Sequence, residues 1–298
     1  MTIQISEFAN KHLPTVIRLL NEEYRDSYEF IPLDEERLRS QIQRRHLRIH
    51  VAEENGNVSG LVGTYAEERG EENIFWLAAC RGQNQKIIEN ILADEIEKNA
   101  KGDTISTMLD EGNPRIEEWI DRGYVLDAGF LRMVARLGCL KVIPRVSEGI
   151  KLRSLRPEEE EKLVEVVNTG FGWQRIEHGI LETWKSENPP FSEDWVQVAE
   201  ADERIVSAVV AKPDTDYVKY MHLNRGYLGP AATLPEFRNK HLASALTAQA
   251  MNFLLEKGMD SVRLGTSEKN ISSITLLRNL GFQVGIARKL LRKRLKNA

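Results

Sequence analysis

The sequence lacks most of the features that would place it in a restricted class. Its two cysteines among 298 residues, Cys80 and Cys139, are too few for a disulfide framework or a zinc knuckle, so we expect no metal site and interpret both as small buried side chains. No apolar run approaches the roughly 18 residues of a membrane span. The N-terminal segment lacks the basic-then-apolar layout of a signal peptide. These absences predict a cytoplasmic protein without a membrane partner.

What is present is an ordinary globular composition, with 41% hydrophobic and 29% charged residues. The net charge of −4 argues against a nucleic-acid-binding domain, because no basic excess covers the chain. The exception is the C-terminal segment, which we interpret either as a solvated last strand or as an anion-binding arm. Its basic residues are Arg288, Lys289, Arg292, Lys293, Arg294 and Lys296.

The chain contains an internal repeat with an offset of 147 residues. Apolar positions coincide when residues 3–24 are placed beside 150–171, and again when 51–62 are placed beside 198–209. Each copy begins with an alternating strand, continues into an amphipathic helix and then shows a strand–turn–strand pattern. The repeat predicts two α/β units, each a mixed sheet flanked by helices, covering 1–142 and 148–298.

The second copy carries a pattern suited to anion binding. A small, apolar strand is predicted over 227–234, with Gly229-Pro230 marking a bulge or kink, and a helix follows from Leu242 to Gly258. The free N–H groups and the dipole at the start of that helix suit a phosphate or pyrophosphate. Another strand over 261–265 leads to a helix with Asn270 at its N-cap. This arrangement alone also permits nucleotide binding.

Two spaced motifs add specificity to this pattern. The first runs through Thr233, Leu234 and Pro235 to Arg238, Asn239, Lys240, His241, Leu242 and Ala243. The second runs through Asn270, Ser273, Leu276, Leu277, Asn279, Gly281 and Phe282. Residues 227–285 thereby resemble the GNAT superfamily of N-acetyltransferases. Two positions depart from the family pattern: His241 stands where a glycine is usual, and Leu277 replaces the tyrosine that protonates the departing thiolate in many members.

The resemblance implies acetyl-CoA as co-substrate and assigns residues to it. Backbone groups of Ala231, Ala232 and Thr233 are expected to hold the acetyl and pantetheine portion. Asn270 and Ser273 are expected near the cofactor arm. The residues expected to bind the pyrophosphate are Arg238, Asn239, Lys240, His241, Leu242, Ala243 and Ser244. For Arg238 and Lys240, a role as plain surface charges stays open.

The catalytic and acceptor positions are less well defined. The family's base is often a glutamate about six residues before Thr233, and Tyr227 stands there. Because a tyrosine with its ordinary pKa of about 10 is a poor base near neutrality, Tyr227 either relays a proton through water or only packs. Trp173, His178 and Trp184 are candidates to line an acceptor pocket. Core packing for the tryptophans and a solvated turn for His178 are the alternatives.

The first copy has the same ending without the cofactor motif. Its turn carries Gln83, Asn84, Gln85 and Lys86, followed by Glu89, whose carboxylate we expect to repel a pyrophosphate. The sequence therefore predicts an N-acyltransferase that moves an acetyl group from acetyl-CoA, bound only by the second unit, to a small-molecule or peptide amine. The tandem layout resembles mycothiol synthase-like enzymes. A non-catalytic CoA-binding or scaffolding protein and, further off, a nucleic-acid-binding protein are the alternatives.

Overall fold

The computed structural model describes residues 3–66 and 70–295. The chain folds as two compact units. The first unit comprises Met1–Phe130 together with Ile286–Ala298, and the second comprises Leu131–Gly285. These limits differ from the predicted 1–142 and 148–298, because each unit takes in the final strand of the other half of the chain. Hydrophobic periodicity reveals a strand but not the sheet that it joins.

The helices and strands follow the predicted order in each half of the chain. In the first half these are β1 (Ile3–Glu7), α1 (Leu13–Tyr24), α2 (Glu35–Arg45), β2 (Arg48–Glu54), β3 (Asn57–Ala66), β4 (Glu71–Ala79), α3 (Gln85–Asn99), β5 (Thr104–Asp110), α4 (Arg115–Asp121) and β6 (Val125–Arg136). In the second half they are β7 (Ile150–Ser154), α5 (Glu160–Phe171), α6 (Ile180–Glu187), β8 (Val196–Ala201), β9 (Arg204–Pro213), α7 (Thr215–Met221), β10 (Arg225–Thr233), α8 (Leu242–Glu256), β11 (Ser261–Ser267), α9 (Ile271–Asn279) and β12 (Gln283–Arg294).

Each unit is a mixed sheet. The strand order is β1-β2-β3-β4-β5-β12 in the first unit and β6-β11-β10-β9-β8-β7 in the second. The pairs β4–β5 and β10–β11 are parallel, whereas β1 to β4 and β7 to β10 pair antiparallel. This architecture confirms the predicted fold class. Within 3–66 and 70–295, no helix has the length and apolar content to cross a membrane.

Both faces of the central strands are buried, which explains their nearly continuous apolar sequences. In β4, Trp76 and Ala78 pack in one cluster with α1, while Leu77 and Ala79 pack in another with α3. In the second unit, α5 and α8 pack against β9 and β10. The helices therefore fix the positions of the strands that carry the candidate site.

The repeat extends to side-chain hydrogen bonds. The Asn21 amide donates to the Leu33 carbonyl at 2.9 Å, and its oxygen accepts from the Leu33 N–H at 2.7 Å. Its repeat partner Asn168 bonds Ile176 in the same two ways, at 2.9 and 3.0 Å. In both units an asparagine near the end of the first helix therefore pins the loop that follows.

The basic C-terminal segment is part of β12, and its side chains pair with acids of the first unit. The pairs are Arg288–Asp110 (3.1 Å), Lys289–Glu111 (3.1 Å), Arg292–Glu71 (3.0 Å) and Lys293–Glu97 (2.7 Å). These pairs favour the interpretation as a last strand over that as an anion-binding arm. Lys296 lies outside the described residues.

The two cysteines are free thiols. Cys80 is half-buried and Cys139 is exposed, so the interpretation of both as buried side chains is wrong for Cys139.

Candidate active site

The central feature of the second unit is a wedge between its two parallel strands. β10 and β11 pair only from Arg225–Ser261 to Tyr227–Arg263. Beyond Tyr227 the register of β10 against β9 shifts between Leu228 and Ala231, as the predicted bulge requires. β10 then continues beside β9 to Thr233 without pairing with β11. The strands therefore separate on the side of β10 that faces β11.

Backbone groups of β10 point into this wedge. The Leu234 N–H donates to the Val206 carbonyl at 3.0 Å. In the register of β10 against β9, this bond identifies Leu234 and Ala232 as residues whose backbone groups face β9. Because alternate residues of a strand bond opposite neighbours, Ala231 and Thr233 direct their backbone groups to the open side. An extended ligand with amide groups, such as a pantetheine arm, fits such a strand edge.

A glycine leaves the space beside this edge free. Gly170 lies in the last turn of α5, where a Cβ would approach the Thr233 nitrogen to 3.2 Å and the Ala232 Cβ to 2.9 Å. Only a residue without a side chain allows α5 to pack this closely on β10. Because residue 170 has no side chain, nothing from this position covers the backbone N–H and C=O groups of Thr233.

The turn after β10 leaves backbone N–H groups without helical partners at the start of α8. Asn239 and His241 both adopt left-handed backbone conformations, with φ of +62° and +60°. Asparagine and histidine tolerate this region better than most residues, so His241 takes the conformation that a glycine usually supplies. The first helical bond runs from the Ala245 N–H to the His241 carbonyl at 2.9 Å. The N–H groups of residues 242–244 therefore lack helical acceptors and point outward with the helix dipole.

The basic side chains of this turn have protein partners. Arg238 donates to the Gly170 carbonyl at 2.9 Å and so caps the end of α5. The Lys240 ammonium lies 4.6 Å from the centre of the Phe237 ring. Both residues are exposed beside the turn. The backbone N–H groups of residues 242–244, rather than these side chains, are thus the donors that this turn leaves available.

The second motif is a capped helix start. The Asn270 side chain accepts from the Ser273 N–H at 3.1 Å, as predicted for the N-cap of α9. Leu277, on the same helix, is 4% exposed and belongs to the hydrophobic core. The position that often carries a tyrosine in this family is therefore a packing position in this chain.

Tyr227 lies where the wedge begins. Its ring and hydroxyl approach the position of a Gly229 Cβ to 3.3 Å, so glycine is needed beside it. Lys212 of β9 pairs with Tyr227 in the strand register, and its Nζ lies 5.7 Å from the ring centre. The Arg263 guanidinium lies 5.0 Å from the same ring. Tyr227 is thus flanked by two cations, which stabilise the electron-rich ring face by cation–π attraction.

Lys212 is a residue that the sequence analysis did not single out. Burial, together with the positive charges of Arg175 and Arg263, lowers the pKa of Lys212 to about 8, against the opposing effect of Glu187. The available signal was a single lysine at the end of the apolar stretch Ser-Ala-Val-Val-Ala. That pattern marks a buried strand with one charged residue near its end.

The three residues predicted to line an acceptor pocket lie in different environments. Trp184 is 5% exposed and packs against Phe191, while the Lys212 Nζ lies 4.7 Å from its ring centre. Trp173 is exposed in the loop between α5 and α6, and His178 is exposed immediately before α6. The structure thus brings Trp184 beside Lys212, while Trp173 contacts Arg175, whose guanidinium carbon lies 5.4 Å from its ring centre.

The first unit has the same wedge, but its own side chains fill it. β4 and β5 pair in parallel only from Glu71–Thr104 to Ile74–Thr107. Beyond this point the Leu77 N–H donates to the Tyr24 hydroxyl at 3.0 Å, and the Leu77 carbonyl accepts from Arg115 at 2.7 Å. These are the backbone groups that a bound pantetheine arm would require.

A buried ion-pair network holds this plug in place. The Arg115 side chain is 11% exposed and contacts Glu89 and, at 3.2 Å, Glu23. Glu89 also accepts from Gln85 at 2.9 Å. The two cavities lined by Leu77, Arg115 and Trp119 measure about 40 Å³ each, which is room for little more than a water molecule. The prediction that Glu89 presents a free carboxylate to a pyrophosphate is wrong, because that carboxylate is turned inward and neutralised.

These features define an α/β domain in which two parallel strands separate beside a helix start with free N–H groups. The model of the acetyltransferase (GNAT) family matches residues 153–282. The chain therefore carries a GNAT acetyltransferase domain, and the predicted family and enzyme class are confirmed. A comparison with curated protein sequences gives no match.

Solved structures share the fold over nearly the whole chain. A GCN5-related glucosamine N-acetyltransferase region of a fungal multi-domain β-N-acetylglucosaminidase is 14% identical with a TM-score of 0.77, over 98% of this chain and 38% of that one. A GCN5-related N-acetyltransferase from Sphaerobacter thermophilus is 14% identical with a TM-score of 0.73, over 99% and 96%. A tandem GNAT protein from the clavulanic acid biosynthesis pathway is 13% identical with a TM-score of 0.71, over 100% of both chains. At these identities the likeness establishes the fold.

Proposed function

We propose that this protein is an N-acyltransferase that moves an acetyl group from acetyl-CoA to a small-molecule or peptide amine, and that only the second unit binds acetyl-CoA. The observation that carries the proposal is the contrast between the two wedges. In the second unit Ala231 and Thr233 direct backbone groups to open space, with Gly170 beside them. In the first unit the corresponding groups of Leu77 are bonded to Tyr24 and Arg115.

Each part of acetyl-CoA has a place in this site. The N–H groups of residues 242–244 and the dipole of the 15-residue helix α8 suit the pyrophosphate. The edge of β10 suits the pantetheine arm, which then runs from Thr233 toward Tyr227. The thioester at the end of the arm accordingly lies near the apex of the wedge.

A charge placed at the helix start tests this site without harming the fold. Ala243→Glu puts a carboxylate in the first turn of α8, where the helix dipole favours it. The same carboxylate repels the pyrophosphate by about 3 kcal/mol at about 5 Å with an effective dielectric constant of about 20, so we expect CoA affinity to fall about 100-fold by calorimetry.

One control variant separates the effect of charge from that of side-chain size, and another tests whether the first unit contributes to CoA binding. Ala243→Gln has nearly the same volume without the charge, so it measures the steric part of the loss and should bind CoA more tightly than Ala243→Glu. Ile87→Glu places a carboxylate in the first turn of α3 in the first unit and should also leave binding unchanged, with one CoA per chain. Equal affinity in Ala243→Glu and Ala243→Gln, or two equivalents of CoA per chain, would contradict the proposal.

A non-catalytic CoA-binding protein is the second candidate, and the burial of Leu277 favours it. A leucine cannot protonate a departing thiolate, and Tyr227 replaces the carboxylate that often serves as base. Thiol release measured with a panel of primary amines separates the two candidates. Turnover of any amine supports the enzyme, whereas CoA binding without turnover on the panel supports the binding protein.

A further inference from the structure

Lys212 occupies an unusual place for a lysine. It stands near the end of β9, directly after Ala208, Val209, Val210 and Ala211, each of which is at most 1% exposed. Its Nζ lies 4.7 Å from the ring centre of Trp184 and 5.7 Å from that of Tyr227. Among the residues that the structure describes, no carboxylate lies within ion-pair distance of it. The ammonium form therefore has aromatic faces around it and no counter-ion.

The charged groups around Lys212 come from several elements. Arg263 approaches from β11 and Arg175 from the loop before α6, and both disfavour a second positive charge. Glu187 at the end of α6 favours the charged form but does not contact it. Tyr227 faces it from β10. Because burial together with these charges lowers the pKa of Lys212 to about 8, about one Lys212 side chain in ten is a neutral amine at pH 7 and about half are at pH 8.

Arg263 is held in position by a buried acid. Asp214, 6% exposed, bonds Arg263 Nη2 at 2.9 Å and Arg225 Nε at 2.7 Å. The Arg263 charge is therefore fixed beside Tyr227 rather than free to turn toward solvent. This arrangement maintains the positive potential at Lys212 in the folded protein.

We propose that the Lys212 amine accepts the proton of the acceptor ammonium and so delivers the acceptor as a neutral nucleophile. The inference rests on the proposed function. Its geometric basis is that Lys212 adjoins Tyr227, the last residue of β10 that pairs with β11, and hence the apex of the wedge where the thioester arrives.

The step balances in atoms and charge. One proton passes from the acceptor ammonium to the Lys212 nitrogen, which becomes an ammonium. The acceptor nitrogen then bonds the acetyl carbon, the C–S bond breaks, and the electron pair leaves with the CoA sulfur. The second proton of the acceptor nitrogen passes to the thiolate, which gives the amide and the CoA thiol. Lys212 finally releases its proton to solvent.

The neutral amine of Lys212 is also a nucleophile, but acetylation of Lys212 is not a productive route. The product would be a stable amide, which cannot pass the acetyl group onward. One equivalent of acetyl group fixed on Lys212 during turnover, with loss of activity, would therefore overturn the proposal. Intact mass and peptide mapping after incubation with acetyl-CoA detect it.

The principal experiment is the pH profile of kcat/KM for the full chain. The probes are four amines: glucosamine, an alkylamine, an amino acid and a peptide with a free N-terminus. The unmodified protein should show a limb that rises to about pH 8 and stays in place between two acceptors of different amine pKa. Lys212→Met and Lys212→Arg should each lose about 100-fold or more and lose the limb, because general base catalysis is worth about 10²–10⁴-fold.

Three readouts distinguish a proton acceptor from a merely structural residue. Acetyl-CoA affinity by calorimetry should be unchanged in Lys212→Met. Glu187→Gln should move the limb to lower pH, since it removes a charge that raises the pKa of Lys212. Trimethylamine, a base that has no N–H and so cannot form the amide product, should partly restore the activity of Lys212→Ala. Lys151→Met, at an exposed position of β7, is the matched control and should behave like the unmodified protein.

The outcomes separate the two proposals. If the unmodified protein binds acetyl-CoA and consumes none of the four amines, the proposed function fails. If it turns over and Lys212→Met keeps both rate and limb, only the assignment of Lys212 fails. Competitive labelling with acetic anhydride adds a test without an acceptor. Titration of Lys212 near the ordinary lysine pKa of about 10.4 would overturn the assignment, and titration near pH 8 supports it.

Discussion

The plug of the first unit gives a prediction whose size follows from its contacts. Arg115→Met keeps the aliphatic volume of the side chain but removes the charge opposite Glu89, whose side chain is 6% exposed. It also removes the donor to the Leu77 carbonyl, now at 2.7 Å. Loss of one partner from a buried pair costs about 3–5 kcal/mol, and the exposed Lys86, 3.7 Å from Glu89, compensates only part of the remaining charge. We therefore expect the first unit to lose about 4 kcal/mol of unfolding free energy.

A substitution of Glu89 determines whether the Arg115–Glu89 ion pair causes the expected loss of stability. Glu89→Gln alone should cost less, about 1–2 kcal/mol, since Arg115 keeps Glu23 at 3.2 Å. The double variant Arg115→Met/Glu89→Gln should lose about 2 kcal/mol less unfolding free energy than the sum of the two single losses, because no unpaired carboxylate remains at position 89. Urea denaturation followed by hydrogen exchange of peptides from α3 and α4 reports on this unit. A coupling energy below about 0.5 kcal/mol would show that the network does not hold the wedge closed.

Three further predictions concern the second unit. The Arg153 guanidinium, with the Arg156 N–H, holds the pKa of Glu159 at about 2, so the stabilisation by Glu159 is complete above about pH 4.5 and is lost as the pH falls toward 2. Glu159→Gln should cost about 1–2 kcal/mol at pH 7 by urea denaturation and flatten the acid limb of the stability curve. Lys212→Met should stabilise the unit by about 2 kcal/mol at pH 7 in thermal denaturation, because the folded protein then no longer holds a buried ammonium. The advantage should fade between pH 8, where folded Lys212 loses its proton, and pH 10.5, where the unfolded chain loses it as well. His241→Gly should keep CoA binding in calorimetry, whereas His241→Val should weaken it. The backbone of residue 241 has a φ of +60°, a conformation that a β-branched residue resists. Equal CoA affinities of the two variants would contradict this.

Sequence patterns predict those parts of the site that depend on neighbours along the chain. The bulge at Gly229-Pro230, the N-cap Asn270 and the start of α8 after His241 all appear where the motifs place them. Each is decided within a few residues by backbone preference and local hydrogen bonds. The positive φ of His241 follows in the same way, since the turn geometry requires it of whichever residue stands there.

Features decided by distant contacts could not be predicted in this way. Arg238 caps α5 through the Gly170 carbonyl, which lies 68 residues away in sequence. The low pKa of Lys212 depends on burial and on charges from α6, the loop before it and β11, and none of these elements is adjacent to Lys212 in the chain. Which sheet β12 joins is likewise a matter of tertiary packing. Periodicity and spacing carry no information on any of these.

The filled wedge of the first unit was only partly predictable from the sequence. The 147-residue offset places Glu23 beside Gly170 and Tyr24 beside Phe171, so the two decisive differences were visible in the repeat itself. Their meaning depended on the structure, because only there does Gly170 lie against the backbone of Thr233 while Tyr24 bonds that of Leu77. A glycine opposite the strand edge leaves its N–H and C=O groups available to a ligand. A glutamate in its place instead holds Arg115, which satisfies those groups from within the protein. One fold can thus keep its two parallel strands separated in both units, with an unpaired strand edge in one unit and a buried polar network in the other.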